Sequence, residues 1–183
     1  MKKPNQKGFS YEREIAKKLS LWLTQGKRDD VLWRTEGSGG RSTQEAKKGH
    51  YLLNSYGDIG VKDPSCQEAV DFISKVLIEC KRGYSTRIDG LKLIDNPSKD
   101  HILKQWWNKA VIEMKECGRQ YVWIIIKRNR NKSVLMSSYS CETVLGFCMN
   151  NIPFITFYIE GEVVPVSIAP LEPLLKTQTY RFI

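Results

Sequence analysis

Residues 76–81 have the sequence VLIECK, and the fold assignment starts from this stretch. Its apolar residues predict a strand that passes through a protein core. Because side chains alternate across a strand, Glu79 and Lys81 lie on one face and Cys80 on the other. A carboxylate beside an amine at a strand end suits phosphodiester chemistry, with the carboxylate holding a divalent cation and the amine contacting the phosphate or the attacking water. The alternative is an ordinary exposed strand edge with an i, i+2 salt bridge.

A second carboxylate precedes this strand, in the sequence GDIG at residues 57–60. Asp58 stands at the start of a predicted strand and could meet Glu79 across neighbouring strands. Two carboxylates completed by water and phosphate oxygens are a ligand set that suits Mg²⁺. The alternative is a turn aspartate that caps its own backbone.

Apolar periodicity predicts alternating helices and strands around these motifs. A helix begins near Ser10 as its N-cap, buries Ile15, Leu19 and Leu23, and ends near Gly26. Further strands are predicted at residues 31–34, 56–61, 121–127 and 134–138, and a helix at 101–117. Residues 65–73 fit either a helical turn or an extended insert.

Two of these segments carry more specific expectations. The helix at 101–117 has an apolar stripe at steps of four residues: Ile102, Trp106, Ala110 and Met114. The strand at 121–127 is almost wholly apolar, which predicts a central place in the sheet. Towards the C-terminus the pattern predicts a short helix at 141–149 and a hairpin of strands 154–159 and 163–168.

The composition favours a polyanionic partner. The chain has 183 residues and a formal net charge of +9, which suits nucleic acid or an acidic membrane surface. No apolar stretch approaches the roughly 20 residues of a spanning helix, and the polar N-terminus is unlike a signal peptide, so a cytoplasmic location is expected. Five scattered cysteines without a Cys-x-x-Cys pair, and only two histidines, predict neither a zinc site nor a disulfide framework.

Two further motifs complete a recognisable order: GFSYERE at residues 8–14 and RTEGSGG at residues 34–40. Followed by GDI and IECK, they resemble the PD-(D/E)xK nuclease superfamily, and most of all Holliday junction resolvases of the archaeal type and their phage relatives. The resemblance covers about residues 7–127. It implies an α/β, restriction-endonuclease-like core with a central mixed β-sheet flanked by helices. We expect a single nuclease domain over residues 1–183, with a core at about 7–138 and a C-terminal extension at about 139–183.

The resemblance also implies roles for individual residues. Asp58 and Glu79 match the metal-binding pair, and Lys81 matches the motif lysine. Glu12 matches a helix carboxylate that helps to hold metal or water, and the backbone carbonyl of Cys80 would be a further metal ligand. The DNA-contacting positions would include Arg13, Arg34 and Ser38.

This chain departs from the pattern of the superfamily in two ways. Its first motif is Gly-Asp instead of Pro-Asp, and the gaps after Ser38 and after Asp58 are longer than in the compact archaeal resolvases. The longer gaps bear on the preference for junctions more than on nuclease activity. In several branches a glutamine on the second helix reaches the site, and Gln105 is the candidate here.

Basic residues bracket these motifs and are expected to bind phosphates without reading sequence. They are Lys2, Lys3, Lys7, Arg41, Lys47, Lys48, Arg82 and Arg87. No recognition helix with base-reading side chains is evident, which favours recognition of DNA structure.

The expected activity is an Mg²⁺- or Mn²⁺-dependent endodeoxyribonuclease, structure-selective and resolvase-like, acting as a homodimer on branched DNA in recombination or repair. One alternative keeps the enzyme class but changes the substrate, to a restriction-like or repair endonuclease or an exonuclease on linear or flapped DNA. The alternative from another class is an inactive DNA-binding module on a nuclease fold.

Overall fold

The computed structural model describes residues 4–35, 56–83, 101–138, 155–159 and 165–177. The helices in these ranges are α1 (Pro4–Leu23), α2 (Gln67–Lys75), α3 (Ile102–Glu116) and α4 (Leu171–Thr177). The strands are β1 (Leu32–Arg34), β2 (Ile59–Val61), β3 (Val76–Arg82), β4 (Tyr121–Lys127), β5 (Ser133–Ser138), β6 (Ile155–Phe157) and β7 (Val166–Pro170).

A five-stranded mixed sheet with the order β3-β4-β5-β7-β6 forms the centre of the fold. β3 and β4 run parallel, and the remaining neighbours pair antiparallel. Helices pack on both faces of this sheet, which confirms the predicted α/β core with a central mixed sheet. β1 and β2 form a separate antiparallel pair against α1.

The sheet buries both of its faces, and β4 shows this most clearly. Trp123 and Ile125 belong to the apolar cluster under α1 and α2, whereas Val122, Ile124 and Ile126 belong to the cluster under α3. Because β4 is also flanked by β3 and β5, almost every side chain in it meets other apolar groups. The central place predicted from its composition is confirmed.

The first helix begins earlier than predicted. It starts at Pro4, so Ser10 lies within the helix instead of capping it. Proline suits the first turn of a helix, and an interior glycine such as Gly8 costs only about 1 kcal/mol. Glu12 therefore stands in the third turn, beside β1, and not at a helix N-terminus.

The helix predicted at residues 101–117 spans Ile102–Glu116, with His101 as its N-cap. Its most buried apolar residues are Leu103, Trp107 and Ala110, whereas the predicted stripe started at Ile102. A helix has 3.6 residues per turn, so a stripe at strict steps of four drifts by about 40° each time. The apolar face is therefore rotated from the one predicted.

The structure also describes the segment at residues 65–73 and the predicted C-terminal strands. Residues within 65–73 form part of α2, which runs directly into β3 at Val76. The predicted C-terminal strands pair antiparallel, with Ile155 opposite Ile168, although β7 extends on to Pro170. The turn between them and the helix predicted at residues 141–149 lie outside the described residues. Within the described ranges, no helix is both long and apolar enough to cross a membrane.

Candidate active site

Gly57 lets the segment before β2 lie against the outer edge of β3. Its φ is +70°, and a Cβ built at this position would lie 2.8 Å from the carbonyl oxygen of Ile78. The backbone N–H of Asp58 donates to that same oxygen at 2.8 Å. Proline, with φ fixed near −65°, could not adopt this conformation. The Gly-Asp variation therefore has a local structural cause.

The carboxylate of Asp58 reaches across to the strand that carries the other motif. Asp58 Oδ2 accepts a hydrogen bond from the backbone N–H of Cys80 at 2.7 Å. The aspartate is thus tied to a strand 22 residues away, whereas the alternative had it capping its own turn. The structure thus places the Gly-Asp segment against the strand that carries Glu79.

Glu79 and Lys81 lie on the same face of β3, as the alternation of side chains predicts. Leu77, two residues earlier, packs in the cluster under α3, whereas Ile78 and Cys80 face the cluster under α1. Lys81 Nζ donates to Glu79 Oε2 in a close ion pair. The pair is not an exposed edge contact, since the glutamate side chain is only 9% accessible and the lysine 18%.

Burial and neighbouring charges shift the pKa values of Asp58 and Lys81. Burial, and then the charge of Glu79, raises the pKa of Asp58 to about 7, while Lys81 and the Cys80 N–H act in the opposite direction. Burial also opposes the charged form of Lys81, but Glu79 and Asp58 outweigh it and raise the pKa of the lysine. The Asp58 carboxyl therefore holds a proton more readily than a solvated aspartate does.

Glu12 approaches the site from α1 and is held by Arg34 of β1. Arg34 Nε donates to Glu12 Oε2 at 2.9 Å, and the guanidinium carbon lies 4.1 Å from the centre of the Phe9 ring. The second glutamate of the helix motif, Glu14, is paired instead with Lys127 and Lys18. The structure thus brings only the first glutamate of the motif towards Asp58.

The predicted glutamine of the second helix is not placed at the site. Gln105 lies on the exposed side of α3, two turns from the position that touches the Gly-Asp segment. That position is Glu113, whose Oε1 accepts from the backbone N–H of Gly57 at 2.8 Å. Burial raises the pKa of Glu113, and the charge of Glu79 adds to this effect.

Sequence reasoning missed Glu113, although a signal was present. It stands three residues after Ala110, so it continues the buried stripe of α3 with a carboxylate. A charged residue on an otherwise buried helix face indicates a specific partner inside the fold.

The predicted DNA-contacting residues are only partly described. Arg13 is exposed on α1, and Arg82 is exposed at the end of β3, with its guanidinium carbon 5.8 Å from the Tyr11 ring centre. Several predicted positions lie outside the described residues: Ser38, Arg41, Lys47, Lys48, Lys2, Lys3 and Arg87. Of Lys7, only the helical backbone is described.

The donor set fits a cation that keeps part of its water. Among the described residues, no three His, Cys, Asp or Glu side chains are grouped closely enough to enclose a metal. Asp58 and Glu79 nevertheless supply two carboxylates. Because the N–H of Cys80 faces Asp58, the carbonyl of Cys80 lies along the same strand edge. Two carboxylates and a carbonyl suit Mg²⁺, which takes few protein ligands.

Comparisons with known proteins identify the family. Neither the curated proteins nor the solved structures give a match to this chain. A family model described as "Phage putative PDDEXK endonuclease" matches residues 3–177, which is nearly the whole sequence. The chain therefore belongs to this family of phage PDDEXK endonucleases.

Proposed function

We propose that this nuclease is a metal-dependent endodeoxyribonuclease whose active site consists of Asp58, Glu79, Lys81 and Glu12. One observation supports the proposal above all others. Asp58 and the Glu79–Lys81 pair come from separate segments, yet the Asp58 carboxylate is bonded to the residue between Glu79 and Lys81. Three ionisable groups that the sequence separates by about 20 residues thereby share one partly buried edge of the sheet.

The metal would be held by Asp58, Glu79 and the Cys80 carbonyl. PDDEXK nucleases generally use divalent metals, and Mg²⁺ or Mn²⁺ suits these oxygen ligands. A bound divalent cation supplies positive charge at the phosphate and lowers the pKa of a coordinated water. Arg34 binds Glu12 through Oε2, and we propose that the Glu12 carboxylate holds a water or joins the metal when DNA engages Arg34.

Lys81 would act on the phosphate directly. Its ammonium group is bonded to Glu79. With a divalent cation on the Glu79 carboxylate, the ammonium would be available to donate to a phosphate oxygen or to orient the attacking water. Its raised pKa keeps it protonated at neutral pH, which suits stabilisation of developing negative charge and not general-base work.

DNA would be held through its phosphates by basic residues around this site. The proposed contacts are Arg13, Arg34, Arg82, Ser38, Arg41, Lys47 and Lys48. Arg34 is of particular interest, because it already lies against Glu12 and could exchange that carboxylate for a phosphate. The formal net charge of +9 supports tight, salt-sensitive binding of this kind.

The proposed substrate is branched DNA such as a four-way junction, cut by a homodimer in recombination or repair. Two-fold symmetry suits a substrate that needs paired nicks. The alternative in the same class is a restriction-like or repair endonuclease, or an exonuclease, on linear or flapped DNA. We also propose that residues 1–183 form one domain, since β7 and β6 extend the sheet that β3, β4 and β5 begin.

The test is cleavage of a labelled four-way junction beside a linear duplex, with Mg²⁺ or Mn²⁺. Wild type is compared with Glu79→Ala and with Glu116→Ala, a matched control at an exposed position near the end of α3. Symmetric nicking that only Glu79→Ala abolishes supports the resolvase activity and this site. Cutting of linear DNA with no junction preference leaves the nuclease and removes the resolvase. Intact DNA binding without any cutting by wild type would favour the inactive binding module.

A further inference from the structure

A cleft of about 320 Å³ opens where α1 meets the β1–β2 pair. Trp33 lines it, and 41% of this residue is accessible to solvent. In the pairing of β1 with β2, the residue opposite Trp33 is Gly60. Since glycine has no side chain, the residue directly opposite on β2 leaves the indole ring uncovered. The cleft therefore presents an aromatic face.

Positive charge surrounds this aromatic face. The basic residues that line the cleft are Arg13, Lys17, Arg34 and Lys62. Two carboxylates also line it, and they lie 3.0 Å from Lys17 (Asp29) and 3.7 Å from Lys62 (Asp30). Arg13 has no ion-pair partner among the residues that the structure describes. The cleft lining thus carries two more cations than carboxylates, which favours an anionic ligand.

The cleft adjoins the proposed active site. Arg34 lines the cleft, and its Nε donates to Glu12 at 2.9 Å. The same guanidinium lies over Phe9, a second aromatic residue with 45% of its surface exposed. One exposed aromatic side chain, Phe9, thus lies on the arginine that holds Glu12, and a second, Trp33, lines the cleft with this arginine. A ligand in the cleft would sit next to any phosphate bound at Arg34.

We propose that this cleft binds an unpaired nucleotide of the DNA substrate, with its base stacked on Trp33 and its phosphates near Arg13 and Arg34. The inference rests on the proposed function, because it needs DNA at the neighbouring site. A base inside a duplex has both faces covered by its neighbours, so only an unpaired base can offer a face to the indole. The volume is at the low end for a ligand pocket and suits one small planar group.

Stacking would explain how the enzyme selects DNA structure without reading sequence. Every base has a π-face, so an aromatic platform tolerates any sequence. An arginine beside the platform adds charge and can itself stack on a ring. A strand that leaves the duplex at a branch, flap or end would be held in the cleft, next to the site that cuts it.

The test measures DNA binding by the full chain in EDTA, so that nothing is cut. Three DNAs are compared: a fully paired duplex, the same duplex with a single-stranded extension, and the same extension made of abasic nucleotides. The variants are Trp33→Ala, Trp33→Phe and the control Tyr158→Ala. Tyr158 is 71% exposed and follows β6, at the opposite edge of the sheet from β3.

Trp33→Ala is expected to weaken binding of the extended DNA by roughly 5- to 100-fold, the effect of losing one stacked base. Binding of the paired duplex should not change, Trp33→Phe should keep most of the affinity, and abasic nucleotides should remove the difference between wild type and Trp33→Ala. Equal losses on all three DNAs, equal losses in Tyr158→Ala, or no loss at all would overturn the inference.

Cleavage assays separate this inference from the proposed function. If wild type cuts DNA with Mg²⁺ but Trp33→Ala binds every DNA as wild type does, the inference fails and the nuclease stands. If wild type neither binds nor cuts any of the DNAs, the proposed function fails and the inference with it.

Discussion

Glu113 and Gly57 are joined by a hydrogen bond of 2.8 Å, from the backbone N–H of the glycine to the carboxylate of the glutamate. This contact links α3 to the segment that presents Asp58 to β3. Gly57 in turn lies too close to the Ile78 carbonyl for any side chain to fit. The position of Asp58 is therefore fixed from both sides of one short segment.

Removing the Glu113 carboxylate should loosen the segment that carries Asp58. In Glu113→Ala the partly buried Gly57 N–H loses its acceptor, a change that costs about 1–3 kcal/mol. We expect a lower melting temperature and a higher metal concentration for half-maximal cleavage. Glu113→Gln keeps an acceptor oxygen and should restore much of both. If Glu113→Gln and Glu113→Ala lose metal activation equally, the charge of Glu113 matters and its hydrogen bond does not.

A side chain at Gly57 should destabilise the protein more than the same change at Gly118. Both glycines have φ +70°, so Gly57→Ala and Gly118→Ala share a backbone cost of roughly 1–2 kcal/mol. Only Gly57 has backbone in the way, since nothing lies within 4 Å of a Cβ at Gly118. Chemical denaturation of both variants measures the difference. Equal losses of unfolding free energy would mean that the segment shifts without cost.

The stability of the metal-free protein should fall as the pH rises from about 4 to about 7 because of Asp58. The pKa of this carboxyl is raised to about 7 in the folded protein, so the folded state binds the proton more tightly than the unfolded state. The stabilisation is complete at acid pH and is lost as the pH passes the folded pKa. Asp58→Asn should remove this component, on the order of a few kcal/mol.

Melting curves in EDTA between pH 4 and pH 8 measure that component as the difference between wild type and Asp58→Asn. Added Mg²⁺ should stabilise wild type more at pH 8 than at pH 6, since the cation competes with the proton. A wild type that parallels Asp58→Asn across this range would show that Asp58 is already ionised in the metal-free fold.

Loss of Lys81 should slow cleavage without preventing DNA binding. Lys81→Met keeps much of the side-chain volume but removes the donor proposed to stabilise the phosphate. We expect kcat to fall by roughly 100- to 1000-fold, the usual effect of removing one such donor. Lys132→Met, at an exposed position before β5, is the matched control. A similar fall in both variants would point to net charge instead of a group at the scissile phosphate.

Arg13→Ala should weaken DNA binding uniformly across sequences. If the exposed guanidinium contacts one phosphate, the slope of log affinity against log salt concentration should become shallower by about one. Titration of the duplex at several salt concentrations gives this slope for wild type and variant. An unchanged slope would place Arg13 away from the DNA backbone.

Local periodicity was sufficient to predict which side chains share a face of β3 and which strand is buried. The faces of Glu79, Lys81 and Cys80 follow from the two-residue repeat of a strand, and the burial of β4 follows from its composition. The approach of Asp58 to β3 followed from the order of the motifs. The first two features depend on neighbours within a few residues, and the third depends on a single approach between two motifs.

The features that the sequence could not predict depend on how helices are rotated in the fold. Glu113 reaches Gly57, and Gln105 does not, because α3 packs with Leu103, Trp107 and Ala110 inward. A shift of one residue in that stripe would turn the inward face of the helix by about 100°. The start of α1 at Pro4 was missed for a different reason, since Ser10 offered an equally good local cap.

The contact between Asp58 and β3 also bears on solubility. β3 is the terminal strand of the five-stranded sheet, and open strand edges template pairing with other chains. Asp58 makes two hydrogen bonds to this edge. Its backbone N–H donates to the carbonyl of Ile78, and its carboxylate accepts from the N–H of Cys80. The residue proposed to hold the metal thus also covers part of the open edge of the sheet. A substitution that removes the carboxylate, such as Asp58→Ala, would leave the Cys80 N–H on this edge without its acceptor at the same time as it removes a proposed metal ligand.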